Sequence, residues 1–495
     1  MAFYGMRKGE IMKTKLKWII PAVSAAVLAA VGGILALTGV FGKKGPDEEK
    51  KDKFVLAAAV YPEFKQKPVL PDVDWEDEEY IEEHYEELEA MLEKYDETSQ
   101  AYAEELLVLR KELSEYGREK ALGTVAKFTE ESMITFLSNR NGENRVYSPI
   151  NLYLMLGMLS EVTDGNSRKQ LLELANADTA EDLRARSKAL FDNLYKDDPS
   201  GTCRLGASFW LSDAETGYKK KTLDILAKEY YASSFSGKMG SAEYNKQLHK
   251  WINSQTGNLL EDAVNDLEFK DYTVFALVTT LFLDAKWEEQ FNESRTEDDI
   301  FHAESGDVTV PFMHEAKVGS YYTGDRFTAV AKNLATDFYV GDGMGEMMFI
   351  LPNEGVSVDE LLTDPQVMEY IMQSYMYLNR NVAKIHLSVP RFDISYKTDI
   401  ISNLKALGVT DIFQAGTADF SPLLDDPLFV DEAKHAARVM VDENGVKAAA
   451  FTFVTETKGA AMEEKDFYFT LDRPFLFVIR SEAGIPLFVG VVENP

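Results

Sequence analysis

Hydrophobic and polar positions divide this chain into three regimes. From Trp18 to Phe41 it is apolar and uncharged. Between Asp74 and Gly117 apolar residues are sparse but recur at helix-like steps, at Tyr80, His84/Tyr85, Leu88, Met91/Leu92, Tyr95, Tyr102, Leu106 and Leu109. Side chains three or four apart share a helix face, so this acidic run predicts one or two amphipathic helices. Beyond about Glu119 the two periodicities interleave. "ALGTVAKFTEESMITFLSNR" has helical spacing, and "VYSPINLYLMLGMLSEVTDGNSRKQLLELA" predicts a strand edge, a buried helix, a Gly turn and a second helix. Strand-like runs follow at "RLGASFWLS", "YTVFALVTTLFLDAKW", "EMMFILPN", "AKIHLSVPRFDIS" and "FLFVIRS" with "LFVGVVE", separated by helical pieces such as "LHKWINSQT" and "ISNLKALG". Without strict βαβ alternation or a short repeat, the order predicts an α+β fold with large sheets.

The first regime bears on location. About 24 helical residues cover roughly 36 Å, longer than the ~30 Å hydrocarbon core, so Trp18–Phe41 can span a bilayer. Lys13, Lys15 and Lys17 lead it and predict an amino end held inside, although Lys43 and Lys44 blunt that bias. A cleavable export signal, with Val40 and Gly42 near the cleavage site, is the rival to an uncleaved anchor. Both place the bulk of the chain outside, secreted or at the cell surface, and the anchor would make the membrane a partner. Residues 43 to about 74 read as a linker. The plan is therefore residues 1–42 as signal or signal-anchor, 43–117 as linker and acidic helical spacer, and 118–495 as the folded domain. For the spacer, a solvated acidic helix is the simpler reading than an oligomerising or wall-spanning stalk.

Composition narrows the function. The formal net charge of -31 argues against a nucleic-acid partner, which needs clustered Lys and Arg. At 45% hydrophobic and 12% aromatic the chain can build a sizeable core. The single cysteine, Cys203, cannot close an intrachain disulfide and reads as a small buried hydrophobe. The sequence has no HExxH, GxSxG, P-loop or CxxC pair, and no GxGxxG after a strand. His249, His302, His314 and His386 stand singly and read as structural. No metal or cofactor is expected, and an enzyme gains no support.

A family resemblance rests on "VYSPINLYLMLGMLSEVTDGNSRKQL", "LFLDAKW", "VPFMH", "FILPN", "LKALGVTDIF" with "ADFSPL", "DRPFLFVIR" and "VVENP". Each is weak alone. Together, in this order from about Arg118 to Pro495, they resemble serpins. The resemblance implies three β-sheets, about eight or nine helices and an exposed reactive-centre loop before "DRPF". That loop would be "ENGVKAAAFTFVTETKGAAM", Glu443 to Met462. In an inhibitory serpin a serine or cysteine protease attacks the loop and forms an acyl-enzyme. The cut loop then enters the main sheet and drags the protease with it. The partner implied is a serine protease, held covalently by a monomeric serpin domain.

The resemblance carries over to individual residues. It implies a hinge at Glu443, Gly445, Val446, Lys447, Ala448, Ala449 and Ala450, with Val446, Ala448, Ala450, Thr452 and Val454 turned inward on insertion. Gly445 would supply backbone freedom where the strand peels over. Glu443 and Arg391 match an ion pair at the top of the main sheet, with Trp287 beside it. Ser148, Asn151, Thr279 and His435 match the shutter beneath. There the family commonly has Asn at the position of Thr279 and Ser at that of Asn151, so the two polar groups are expected to have exchanged sides while a His435 network survives. Lys447 and Phe451 replace the usual Glu and Ala, which leaves a non-inhibitory serpin acting as a binding module as the alternative. Loop length places the scissile bond near Gly459–Ala460. Lys458 in the specificity pocket would suit trypsin-like enzymes. Gly459, Ala460, Ala461 or Met462 would suit elastase-like or subtilisin-like ones, which are favoured.

Overall fold

A computed structural model of the chain describes residues 53–61, 78–115, 118–198, 201–215, 217–265, 267–337, 342–373, 379–430, 432–446 and 465–495. The main sheet has eight strands. They are β1 (Val55–Ala57), β3 (Lys196–Asp198), β4 (Gly201–Ser212), β5 (Ala232–Gly237), β6 (Phe275–Lys286), β14 (Phe392–Asp399), β15 (Lys434–Val441) and the two-residue β16 (Gly445–Val446). Their order is β1-β5-β4-β6-β16-β15-β14, with β3 on β4.

The second sheet has nine strands: β2 (Arg145–Tyr147), β7 (Glu297–Ala303), β8 (Gly306–Thr323), β9 (Phe327–Asn333), β12 (Glu346–Pro352), β13 (Arg380–Pro390), β17 (Asp466–Thr470), β18 (Phe475–Arg480) and β19 (Pro486–Val492). A two-stranded ribbon, β10 (Thr336–Asp337) with β11 (Asp342–Gly343), is the third sheet among the described residues.

Helices α1 (Glu78–Glu83) and α2 (Tyr85–Glu115) precede the domain, which opens with α3 (Arg118–Leu137). Next come α4 (Pro149–Val162), α5 (Gly165–Leu174), α6 (Ala180–Leu194), α7 (Lys220–Glu229) and α8 (Ala242–Gln255). From Arg118 on, ten α-helices occur among the described residues rather than eight or nine. Two of them, Glu261–Val264 and Val358–Leu361, are single turns too short to announce themselves by periodicity.

The expected buried helix is α4, and its local chemistry explains its start. Ser148 caps it by accepting a bond from the Asn151 nitrogen, and Pro149 occupies the first turn, where no amide donor is needed. All fourteen of its residues are buried, so it forms an apolar axle beneath the main sheet.

Two features ahead of the domain differ from expectation. Part of the stretch read as linker is a strand: β1 pairs antiparallel with the edge of the main sheet, Val55 opposite Phe235. Phe54 packs on Tyr244, and Tyr61 stacks on Tyr231. Three strand residues are too few to show a period, and their partners lie about 180 residues away. The acidic helix α2 is likewise not free. It packs on α6, with Leu88, Leu92 and Tyr102 buried, and Ile81 of α1 is buried as well. Leu88, Leu92 and Tyr102 belong to the stripe read off the sequence, whereas Tyr80 stands exposed and its neighbour Ile81 is buried instead. Among the described residues no helix is long and apolar enough to cross a membrane, and Trp18–Phe41 lies outside them.

Candidate functional site

The segment expected to be the hinge starts as a tight hairpin between β15 and β16. Asp442 organises it: its nitrogen donates to the Gly445 carbonyl at 3.1 Å, and its Oδ1 accepts from the nitrogens of Asn444 and Gly445 at 2.8 and 3.2 Å. Asp and Asn favour turns because their side chains satisfy backbone donors locally. Glu443 folds under this turn and is 3% exposed. It accepts from Arg391 Nε at 2.8 Å, from Arg391 Nη2, and from Thr296 Oγ1. Burial pushes the Glu443 carboxyl up, but the bonds from Arg391 and Thr296 outweigh it and hold the group below its ordinary range.

Trp287 ties the turn to the second sheet. Its backbone nitrogen donates to the Asn444 carbonyl at 3.1 Å, and its Nε1 donates to the Asp442 carbonyl at 2.8 Å. Phe291 N donates to Glu443 O at 3.0 Å. The buried Lys332 lies over the rings of Trp287 and Phe291 and is neutralised by Glu315 at 2.6 Å.

Gly445 is required for a different reason than expected. Its φ is not in the left-handed region. A side chain there would collide with the backbone of β6, with a Cβ only 2.6 Å from Lys286 Cα. Val446, next in line, is 3% exposed and lies between Ala285 of β6 and Val441 of β15.

The decisive feature is what β16 separates. Both β6 and β15 hydrogen-bond to β16, and among the described residues no ladder joins β6 to β15. The central strands of the main sheet are thus parted, with Gly445 and Val446 entered between them at one end. Lys447, Ala448, Ala449 and Ala450, the rest of the inward set, and the bond candidates Lys458, Gly459, Ala460, Ala461 and Met462 lie outside the described residues.

Beneath the sheet, His435 on β15 is fully buried, and its Nε2 accepts from the Ser148 nitrogen at 3.2 Å. Burial alone lowers its pKa to about 4, so it is neutral and poised as an acceptor. Asn151 and Thr279 do not bond to it. They line a small apolar cavity between α4, α6, β4 and β6, together with Ser187 and Thr280. The His435 contact is therefore to the main chain of Ser148, not to either of the two residues expected to have exchanged sides.

Comparison with known proteins settles the family. Residues 124–495 match the family described as Serpin (serine protease inhibitor). The chain belongs to the serpin family. It is 30% identical over 362 residues to an alpha-1-antitrypsin-like protein of Tamias sibiricus, covering 72% of this chain and 84% of that one. It is 27% identical to Serpin-Z2A of Triticum aestivum, covering 74% of this chain and 94% of that one. Among solved structures it resembles the native state of a thermophilic serpin, tengpin, with a TM-score of 0.66, 25% identity and coverage of 76% and 95%.

The remaining chemistry of this serpin is structural. Cys203 is buried, and burial raises its thiol to about 12, too high for a nucleophile at neutral pH. His249 bonds the Leu267 carbonyl, His302 pairs with Asp307, His314 bonds Ser388 and His386 pairs with Asp466. Among the described residues no group of His, Cys, Asp or Glu could hold a metal. The sequence reading missed Thr296, Asp442, Phe291 and the Lys332–Glu315 pair. Only Asp442 left a signal, the turn-forming D-E-N-G string. The others are brought to the hinge by long-range pairing.

Proposed function

We propose that this serpin is an irreversible, suicide-type inhibitor of serine endopeptidases, displayed outside the cell as a secreted or membrane-attached protein. The single observation behind this reading is the pair of parted strands β6 and β15, with Val446 already seated between them. A protease serine attacks the carbonyl carbon of a loop residue. The peptide C–N bond breaks, the amine leaves with a proton, and an ester remains. Hydrolysis of that ester would complete an ordinary turnover. Insertion of the freed loop competes with that hydrolysis.

The register sets the size of the driving force. Gly445 opposes Lys286 and Val446 opposes Ala285 in an antiparallel ladder, so residue 456 would oppose Phe275 at the far end of β6. Residues 447 to 456 would thereby become strand. At about 1 kcal/mol net per hydrogen bond, ten such residues supply on the order of 10 kcal/mol, as much as the whole stability of an ordinary domain. The native state is thus metastable, held by a kinetic barrier.

The small residues Gly459, Ala460 and Ala461 support an elastase-like or subtilisin-like target. The test mixes the full chain with such a protease. The reading expects a complex that survives boiling in detergent, and a loop-cleaved form that melts well above the intact one. Cleaved product with no covalent band and no gain in melting temperature would instead establish a non-inhibitory serpin. Mass spectrometry of the released peptide identifies the bond.

A further inference from the structure

We infer that Asn444 is a modification site at which the protein deamidates itself, with Asp442 as the proton acceptor. The chemistry needs only water. Where glycine follows asparagine, the glycine main-chain nitrogen attacks the asparagine Cγ, a new C–N bond closes a cyclic imide, and the side-chain nitrogen leaves as ammonia. Water then opens the imide at either carbonyl. One opening gives aspartate, and the other gives isoaspartate, whose main chain runs through the former side chain. The sequence has two such steps, Asn141–Gly142 and Asn444–Gly445.

The fold singles out the second. Asn444 is exposed at the tip of the β15–β16 turn, so water reaches it. Its neighbour cannot be anything but glycine: a Cβ at 445 would stand 2.4 Å from the Ala285 carbonyl oxygen and 2.6 Å from Lys286 Cα. The bulkier side chain that would shield the attacking nitrogen is thus excluded by the packing of β16 on β6. The Gly445 nitrogen also donates to Asp442 Oδ1 at 3.2 Å. Ring closure must shed that same proton, and a carboxylate already bonded to it is placed as the general base that passes it to the departing nitrogen. At Asn141–Gly142 the surroundings differ. Both residues have positive φ, 53° and 77°, and among the described residues no carboxylate accepts from the Gly142 nitrogen.

The site matters because of what the turn holds. The Asn444 carbonyl accepts from the Trp287 nitrogen at 3.1 Å, and the Asp442 nitrogen donates to the Gly445 carbonyl at 3.1 Å. Isoaspartate lengthens the main chain by one carbon between these two bonds, so both cannot be kept while Val446 stays between Ala285 and Val441. Aspartate keeps the main chain and adds a negative charge beside Asp442 and Glu443. Deamidation itself does not depend on the inhibitory reading. Under that reading it has a consequence, since an aged molecule with Val446 unseated would be cut as a substrate rather than trap its protease.

Ageing the full chain at neutral pH in isotope-labelled water tests this. Peptide mapping by mass spectrometry follows labelled aspartate and isoaspartate at position 444, with position 141 as the internal comparator, in the folded protein and in urea. In urea both steps lose their surroundings and should convert at similar rates. In the folded protein conversion at 444 should exceed that at 141 several-fold. Asp442→Asn keeps an acceptor oxygen for the turn but is no base, and it should remove the excess while leaving position 141 unchanged. A ratio of 444 to 141 no higher in the folded protein than in urea overturns the site, and that comparison stands even where the variant fails to fold. An excess that survives in folded Asp442→Asn overturns the role of Asp442. Fresh protein that forms no covalent band with any serine protease overturns the inhibitory reading and leaves the site standing.

Discussion

Glu443 and Arg391 meet at one end of the main sheet: the carboxylate in the turn after β15 accepts from the guanidinium between β13 and β14 at 2.8 Å. Glu443 is almost wholly buried, whereas the Arg391 side chain is 43% exposed. The exposed end screens the Coulomb attraction, so the larger effect of losing the pair is a buried carboxylate left with fewer donors. Arg391→Ala should lower the stability of the intact form by about 1–3 kcal/mol. Glu443→Gln, which keeps an acceptor oxygen and sheds the charge, should cost less. Calorimetry of both variants checks this, and equal losses would show that charge is not what Arg391 supplies.

His435 predicts a pH dependence. Its folded pKa of about 4 lies below the ordinary 6.5, so between those values the unfolded chain binds the extra proton. Stability from this group is fully present above pH 6.5 and is lost as pH falls toward 4, by on the order of 3 kcal/mol. Urea unfolding at pH 7 and pH 5 should show the decline, and His435→Gln should flatten it. A slope unchanged in that variant would mean that the buried carboxylates alone set the acid limit.

The legibility of this chain followed the range of its interactions. Fourteen residues of α4 could be read from a cap, a proline and an unbroken apolar run, all local. The pairing of Glu443 with Arg391, close to Trp287, was readable because the family motif places those residues. The reason for Gly445 was not, because it is the backbone of β6, far earlier in the chain, that excludes a side chain. Asn151 and Thr279 show the same limit. Their polarity suggested a network with His435, but Asn151 on α4 and Thr279 on β6 line a neighbouring cavity and leave the histidine to the Ser148 main chain. β1 escaped notice for want of length, as it has three residues and a bulge against β5.

Val446 lies between Ala285 and Val441, and the proposed insertion makes it the first inward side chain of the loop. Val446→Glu would bring a carboxylate where no partner waits, at a cost of several kcal/mol unless the strand stays out. Insertion should slow, so that hydrolysis of the acyl-enzyme wins. The expected outcome is a higher share of cleaved, uncomplexed protein on detergent gels, with the protease recovered active. The conservative Val446→Thr should retain most of the covalent band. Undiminished trapping by Val446→Glu would show that this position does not have to enter the sheet.

The docked segment ahead of the domain makes the last prediction. Tyr61 stacks on Tyr231 at 5.8 Å and lies 6.3 Å from Phe191 and 6.0 Å from Tyr195, so it closes an aromatic cluster over α6 and β5. Aromatic contacts contribute about 0.5–1.5 kcal/mol each beyond the area they bury. Tyr61→Ala should therefore destabilise the intact protein by about 1–3 kcal/mol, a shift of a few degrees in Tm for a domain of this size. Lys53→Ala removes a solvent-exposed ion pair with Glu243 and a cation–π contact with the Phe54 ring, and should shift Tm less than Tyr61→Ala does. Residues 54 to 61 bridge α8, through Phe54 on Tyr244, to α6, through Tyr61 on Phe191, so the loss should appear in the main transition rather than as a separate early one. A Tyr61→Ala protein that melts like the parent would mean that the segment frays from the sheet edge in solution.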